Sequence, residues 1–175
     1  MRAIFILLVS ICLIISSCNS YDKKTTPPVE TTTSTYYFIR HAEKDRTDST
    51  NTNPHLTEAG VIRANNWSRI LGEVKFDAVY STDYNRTKET AQPTADKNGL
   101  NITIYDPRAI DASSFLEETK GKTVLVVGHS NTTPAFVNSV IGEQKYLDID
   151  DNNNGNIYII TISNNEIIDQ LLVIN

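Results

Sequence analysis

The sequence predicts an α/β fold, a layered α/β/α domain whose central sheet is mostly parallel but mixed. From Tyr36 onward, short apolar runs with strand character alternate with segments of helical periodicity. Residues 124–127 are apolar at every position, as in a central parallel strand that is covered on both faces. Polar residues 163–166 separate two apolar runs near the end of the chain, and this hairpin signal predicts an antiparallel pair.

Six strands and four helices follow one another along the domain. The predicted strands cover residues 36–40, 78–81, 102–105, 123–128, 156–162 and 167–173. The predicted helices cover residues 57–71, 84–98, 112–119 and 132–141. In the first helix Val61, Ala64, Trp67 and Leu71 fall on one face, so this helix is expected to pack on the sheet.

The first 17 residues predict an export signal. Arg2 precedes about a dozen apolar residues, a run that is short for a membrane span but typical of a secretory signal. The run ends in Ser16-Ser17-Cys18, which resembles the bacterial lipobox, so we expect Cys18 to be lipidated and to become the mature N-terminus. The alternative is a plain signal peptide in which Cys18 is incidental.

Residues 18–34 predict a tether, and residues 35–175 form the predicted domain. The tether is rich in threonine and proline and has no apolar periodicity, so it cannot bury a core. With a lipid on Cys18, the protein would be exported and anchored to the bacterial cell envelope, on the periplasmic side or the outer surface. The membrane would then be one of its partners.

Charge and cysteine content exclude several function classes. The 175-residue chain carries a formal charge of −5, which becomes −6 when the single positive charge of Arg2 is set aside, so a nucleic-acid partner is not expected. The two cysteines, Cys12 and Cys18, both precede the predicted domain. The domain therefore has no cysteine nucleophile, no disulfide and no cysteine-bound metal.

Polar side chains follow three of the predicted strands at the point where each strand ends. The carboxyl ends of parallel strands lie along one edge of a sheet, so these side chains are expected to meet there. The four that can donate hydrogen bonds to an anion are Arg40, His41, Arg86 and His129.

Two arginines and two histidines around one point suit a phosphoryl group, since guanidinium groups pair with phosphate oxygens. A neutral imidazole with one free lone pair can attack phosphorus, so His41 is our candidate nucleophile. His129, Arg40 and Arg86 would stabilise the charge that spreads over the phosphoryl oxygens. These fixed cations make a metal or another cofactor unnecessary.

The same residues resemble the histidine phosphatase superfamily, also called the phosphoglycerate mutase-like family, over residues 36–175. The matching segments are Arg40-His41, residues 56–60 with Arg63-Ala64, residues 80–82 with Arg86-Thr87 and Thr90-Ala91, and residues 127–130. The resemblance implies a phosphohistidine intermediate on His41, a pocket completed by Arg40, Arg86 and His129, and a small phosphorylated substrate. Ala42 stands where many members have glycine, so the backbone there must accept a Cβ atom.

The acid that protonates the leaving group is less defined. The family takes it from a carboxyl group after the third strand, for which Asp111 is the candidate, although Asp111 could instead cap the next helix. Glu43 is a weaker alternative because its charge would oppose the phosphate. Asn131 either caps the fourth helix or binds substrate. Residues 150–155 resemble the start of a calcium loop but are interpreted as a turn.

The domain carries no large insertion that could form a lid, which favours a phosphatase. Two alternatives stay open. One is a phosphotransferase or mutase with the same mechanism, and the other is a tethered module that binds a phosphate ligand without turnover. The presence of a nucleophile argues against the second alternative, because binding alone does not need one.

Overall fold

The computed structural model describes residues 32–174. The predicted export signal, the lipidation at Cys18 and nearly all of the predicted tether lie outside these residues. Within the described part of the chain, no helix combines the length and the apolar character needed to cross a membrane.

All ten predicted elements are present, in the predicted order. The strands are β1 (Thr33–Arg40), β2 (Ala78–Thr82), β3 (Ile102–Tyr105), β4 (Thr123–Gly128), β5 (Asn156–Ser163) and β6 (Glu166–Val173). The helices are α1 (Glu58–Ile70), α2 (Asn85–Asn98), α3 (Ala112–Glu118) and α4 (Thr132–Ile141). β1 begins three residues before the predicted start, so it includes Thr33 and Ser34 from the predicted tether.

The six strands form one mixed sheet in the order β3-β2-β4-β1-β5-β6. The pairs β3–β2, β2–β4 and β4–β1 are parallel, whereas β5 runs antiparallel to both β1 and β6. Asn164 and Asn165 join β5 to β6 with φ angles of 51° and 66°, a left-handed geometry that asparagine tolerates and that tight hairpins require. The predicted mixed sheet and its terminal hairpin are confirmed.

The helices cover both faces of the sheet. Trp67 and Leu71 of α1 and Ala91 and Ala95 of α2 pack with Ile39, Leu125, Val127 and Ile157 on one face. On the other face, Phe115 of α3 and Phe136, Val137 and Val140 of α4 pack with Tyr36, Phe38, Val124, Val126, Tyr158 and Ile160. Residues 124–127 are at most 2% exposed, since β4 lies in the middle of the sheet with a helix layer on each side. The α/β/α layering is therefore confirmed.

Candidate active site

Arg40 and His41 lie at the carboxyl end of β1, next to the end of β4. Arg40 is in register with Gly128, and the His41 amide donates to the Gly128 carbonyl over 2.9 Å. Because β1 and β4 are parallel neighbours, His129 follows at the same edge of the sheet. A Cβ atom at Gly128 would lie 2.7 Å from the Thr133 hydroxyl, so only glycine lets α4 approach this closely.

Arg40 is a buried guanidinium held by the loop between α4 and β5. Its side chain is 1% exposed, and its Nη1 donates to the carbonyls of Asp150 at 2.8 Å and Asn153 at 2.9 Å. Its Nη2 forms an ion pair of 2.8 Å with Asp151, which also pairs with Arg46 at 2.7 Å. The Arg40 Nε is buried and has no hydrogen-bond partner among the described residues.

The ring of His41 is fixed in one neutral tautomer. Its Nδ1 lies 2.7 Å from the Ala42 carbonyl, which can only accept, so Nδ1 carries the proton and Nε2 carries the lone pair. Burial lowers the pKa of His41 to about 3, the positive charges of Arg40, His129 and Arg86 lower it as well, and the Ala42 carbonyl opposes them. His41 is therefore uncharged at neutral pH and able to act as a nucleophile.

The backbone after His41 is anchored on both sides. The Ala42 amide donates to the Thr90 hydroxyl at 2.9 Å, and the Ala42 side chain is fully buried, so the backbone at this position accommodates a Cβ atom. Asn154 donates to the His41 carbonyl at 2.8 Å. Glu43 pairs with Arg63 at 2.7 Å and does not line the cavity that contains His41, so the structure does not support Glu43 as the acid.

His129 and His41 lie with their ring centres 5.6 Å apart. His129 Nε2 is 2.9 Å from the Thr82 hydroxyl, and its Nδ1 is 3.5 Å from Nη2 of Arg86. Burial lowers the pKa of His129 to about 4, and the nearby charges of Arg86, Lys44 and Arg40 add to this effect. Both histidines are thus neutral in a pocket surrounded by cations.

Arg86 extends from the first turn of α2 into the same pocket. Its guanidinium carbon lies 4.4 Å from the centre of the Tyr84 ring, a cation–π contact that fixes its direction. The Arg86 Nε, like that of Arg40, is buried without a hydrogen-bond partner among the described residues. Two guanidinium N–H donors at one site therefore have no acceptor within residues 32–174.

A cavity of about 680 Å³ is lined by Arg40, His41, Arg86 and His129 together. The four side chains that were predicted to meet at the carboxyl ends of the strands therefore lie in one cavity. Asn131 also lines this cavity. It occupies the cap position of α4 but makes no side-chain capping bond, so the helix-cap interpretation of Asn131 is wrong and its binding role stays a prediction.

Asp111 does not line this cavity. Its carboxylate caps α3, accepting from the amides of Ser113 at 3.0 Å and Ser114 at 3.1 Å, and it lines a separate cavity. The hydrogen bond from the Ser114 hydroxyl and these amide bonds lower the pKa of Asp111, so its carboxylate is ionised at neutral pH. The structure favours the cap over the acid for Asp111.

The carboxylates that do line the cavity already have cationic partners. Asp83 pairs with Lys88 at 2.6 Å, Asp106 pairs with Arg108 at 3.1 Å, and Asp151 pairs with Arg40 and Arg46. Hydrogen bonds from the arginines hold the pKa of Asp106 and of Asp151 below the ordinary range. Among residues 32–174, no cluster of three or more potential ligands could hold a metal ion.

Sequence reasoning missed several residues that shape this site. Lys44 lines the cavity, Asp151 and its neighbours hold Arg40, Asn154 holds the His41 backbone, and Thr82 contacts His129. The polar run 150–154 was a visible signal, since five consecutive Asp and Asn residues exceed what a turn needs. It was interpreted as a turn only, because nothing local indicates that its carbonyls face an arginine 110 residues away.

Comparisons with known proteins agree with this architecture. Residues 36–110 match the sequence profile of the histidine phosphatase superfamily (branch 1), and no curated protein matches the chain in sequence.

Solved structures of phosphatases are among those that share the fold. A protein of Agrobacterium tumefaciens assigned as the phosphohistidine phosphatase SixA is 18% identical, with a TM-score of 0.60, covering 80% of this chain and 98% of its own. A phosphoserine phosphatase of Entamoeba histolytica is 14% identical, with a TM-score of 0.59 and coverage of 78% and 95%. A mycobacterial glucosyl-3-phosphoglycerate phosphatase is 13% identical, with a TM-score of 0.61 and coverage of 81% and 98%.

The lowered pKa values of the two site histidines predict a loss of stability in mild acid. Above about pH 6.5 both histidines are neutral in the folded and unfolded chain, so their pKa shifts cost nothing. Below that pH the unfolded chain takes up protons that the folded chain cannot take up until about pH 4 for His129 and about pH 3 for His41. The free energy of unfolding should therefore fall as the pH drops, by up to about 1.4 kcal/mol per pH unit for each histidine.

Urea unfolding between pH 7 and pH 5 measures how steeply the free energy of unfolding falls with pH. Most carboxylates stay ionised in this pH range. A His41→Asn, His129→Asn double variant should flatten this pH dependence. A slope that the double substitution leaves unchanged would contradict the assignment of neutral, buried histidines.

Proposed function

We propose that this chain belongs to the histidine phosphatase superfamily and is a phosphatase that transfers a phosphoryl group to His41 and then to water. The observation that carries the proposal is the pair of buried, unpartnered N–H donors on Arg40 and Arg86, in the cavity where a neutral His41 has a free lone pair on Nε2. Buried donors almost always have acceptors. The oxygens of a phosphoryl group would supply them.

In the first step the phosphoryl group sits between Arg40 and Arg86, which neutralise its oxygens. The Nε2 lone pair of His41 forms a bond to phosphorus while the bond from phosphorus to the leaving group breaks, and that bond's electron pair departs with the leaving group. The proton stays on Nδ1 of His41, which donates it in a hydrogen bond to the Ala42 carbonyl, and this carbonyl stabilises the positive charge that develops on the ring.

In the second step water attacks the same phosphorus atom. A new P–O bond forms, the P–N bond to His41 breaks, and its electron pair returns to Nε2, so the imidazole is restored. Both protons of the water leave with the product, which is dihydrogen phosphate. Arg40 and Arg86 hold the phosphoryl oxygens through both steps. Because the loop around Asp151 fixes Arg40, the phosphoryl group that the two arginines bind would keep one position.

The rate of hydrolysis should depend strongly on the leaving group. The cavity carboxylates are ion-paired, so none is available to protonate a departing oxygen, and we expect substrates whose leaving group departs as a stable anion or neutral amine. Aryl phosphates with acidic phenols should be hydrolysed faster than alkyl phosphates by about a hundredfold or more, the factor that a general acid would otherwise supply.

The measurement is kcat/KM across a series of phosphates graded by the acidity of the leaving group. Asp111→Asn should follow the same series as the parent protein, since Asp111 caps α3. Equal rates across the series would show that an acid acts, and a selective loss on alkyl phosphates in Asp111→Asn would identify Asp111 as that acid.

The proposed phosphohistidine intermediate should be trappable on the protein. Brief incubation with a radiolabelled aryl phosphate followed by alkaline denaturation should leave label on the protein, which is stable to base and labile to acid as phosphohistidine is. His41→Ala should carry none and should lose essentially all turnover. His55→Ala is the matched control, because His55 is exposed and does not line the cavity.

Label on His41→Ala equal to that on the parent protein would reject His41 as the nucleophile. Binding of phosphate without label or release would favour the binding module. Transfer of the label to an added alcohol, in preference to water, would favour a phosphotransferase.

We also propose that the protein is exported and anchored by a lipid on Cys18. The support is the charged start, the apolar run and the small residues before Cys18 in the sequence. Metabolic labelling with a fatty acid in a bacterial host should label the parent protein and Cys12→Ala, while Cys18→Ala should carry no label and should leave the membrane fraction. Unchanged membrane association of Cys18→Ala would reject the anchor.

A further inference from the structure

We infer that two buried threonines, Thr82 and Thr87, set the tautomer of His129 and make its Nδ1 the atom that exchanges a proton with the substrate. Thr82 ends β2 and Thr87 lies in the first turn of α2, and neither side chain is exposed. Both are positioning residues, since they act on the cavity through His129.

The chain of hydrogen bonds starts at Thr87. Its hydroxyl has one proton, and two carbonyls lie within reach as acceptors, those of Thr82 and Tyr84, each at 2.9 Å. Carbonyls cannot donate, so the Thr87 proton is committed to them. The Thr87 oxygen can therefore only accept from the Thr82 hydroxyl, which lies 2.9 Å away.

This bond decides the role of Thr82. Its single proton is directed to Thr87, so towards His129 its oxygen can only accept. The contact of 2.9 Å between the Thr82 oxygen and His129 Nε2 therefore requires a proton on Nε2. The two backbone carbonyls thus determine, through two hydroxyl groups, which nitrogen of His129 is protonated.

The surroundings of the other ring nitrogen, Nδ1, independently favour the same tautomer. His129 Nδ1 lies 3.5 Å from Nη2 of Arg86, which can only donate. A proton on Nδ1 would point at this guanidinium, whereas a lone pair faces it favourably. His129 thus presents a lone pair towards the cavity, the reverse of the sequence-based expectation that it donates from the outset.

A neutral His129 of this kind can bind a phosphoryl oxygen only after it gains a proton. A phosphoryl monoanion carries one: the proton leaves the P–O–H oxygen for Nδ1, which leaves a dianion beside an imidazolium, and the total charge is unchanged. The imidazolium then donates to the phosphoryl oxygen. This step rests on the proposed function, whereas the tautomer does not.

The tautomer can be read directly by nitrogen-15 NMR of the full chain labelled at its three histidines. At neutral pH we expect opposite tautomers for the two site histidines, with the proton on Nδ1 in His41 and on Nε2 in His129. His41→Ala and His55→Ala identify the signals by their loss. A His129 protonated on Nδ1, or averaged between both tautomers, in the parent protein would overturn the inference without any variant at Thr87.

Thr87→Val removes the hydroxyl at nearly constant volume and frees the Thr82 proton to donate to His129 Nε2. The His129 proton should then move to Nδ1, and Thr87→Ser should restore the parent tautomer. With an aryl phosphate, Thr87→Val should lower kcat by about tenfold and change KM by no more than about twofold, because the arginines that bind substrate are intact.

The tautomer of His129 and the kinetic constants of Thr87→Val distinguish a failure of the inference from a failure of the proposed function. A parent tautomer that persists in Thr87→Val would overturn the role of the threonines. A tautomer that changes as expected, in a protein without turnover on any phosphate, would leave the hydroxyl chain in place and reject the proposed function. A change in KM alone, with kcat unaffected, would reject Nδ1 as the proton-exchanging atom.

Discussion

The burial of Arg40 is the constraint on which the rest of the site depends. A guanidinium that is 1% exposed would destabilise the fold unless its N–H groups were bonded. The loop 150–153 meets that need with carbonyl oxygens and the carboxylate of Asp151. The same loop continues into Asn154, which donates to the His41 carbonyl, so one short segment fixes both Arg40 and the proposed nucleophile. Among the described residues, the Arg40 Nε is left without a hydrogen-bond partner.

Arg40 and its neighbours also decide the protonation of the two histidines. Burial and surrounding positive charge both disfavour imidazolium, so the cations that attract an anion keep His41 unprotonated. The described side chains therefore leave positive charge, unpartnered donors and the free lone pair of His41 Nε2 in the cavity. A bound phosphoryl group would satisfy all three together, and for this reason we propose that the same residues bind such a group and activate a nucleophile.

Much of this could be predicted from the sequence, for identifiable reasons. Strand ends in a parallel sheet share an edge by topology, so Arg40, His41, Arg86 and His129 could be brought together without knowing any contact. The start of β1 could not be predicted, because Thr33 and Thr35 show no apolar pattern. These two residues are held in the sheet by pairing with Ser163 and Thr123. The partners of Arg40 were also inaccessible, since they are backbone carbonyls more than 100 residues away in sequence. Asp111 and Asn131 were ambiguous because acid, ligand and helix cap use the same residue types.

The direction of β1 determines where the preceding chain meets the described domain. The first residue of β1 pairs with Ser163 beside the β5–β6 turn, whereas its last residue adjoins the site, and the two ends of the strand are about 23 Å apart at the usual rise of a strand. The preceding chain therefore joins the domain at the pole opposite the cavity. Tension on that chain would pull along the strand and not across the pocket mouth.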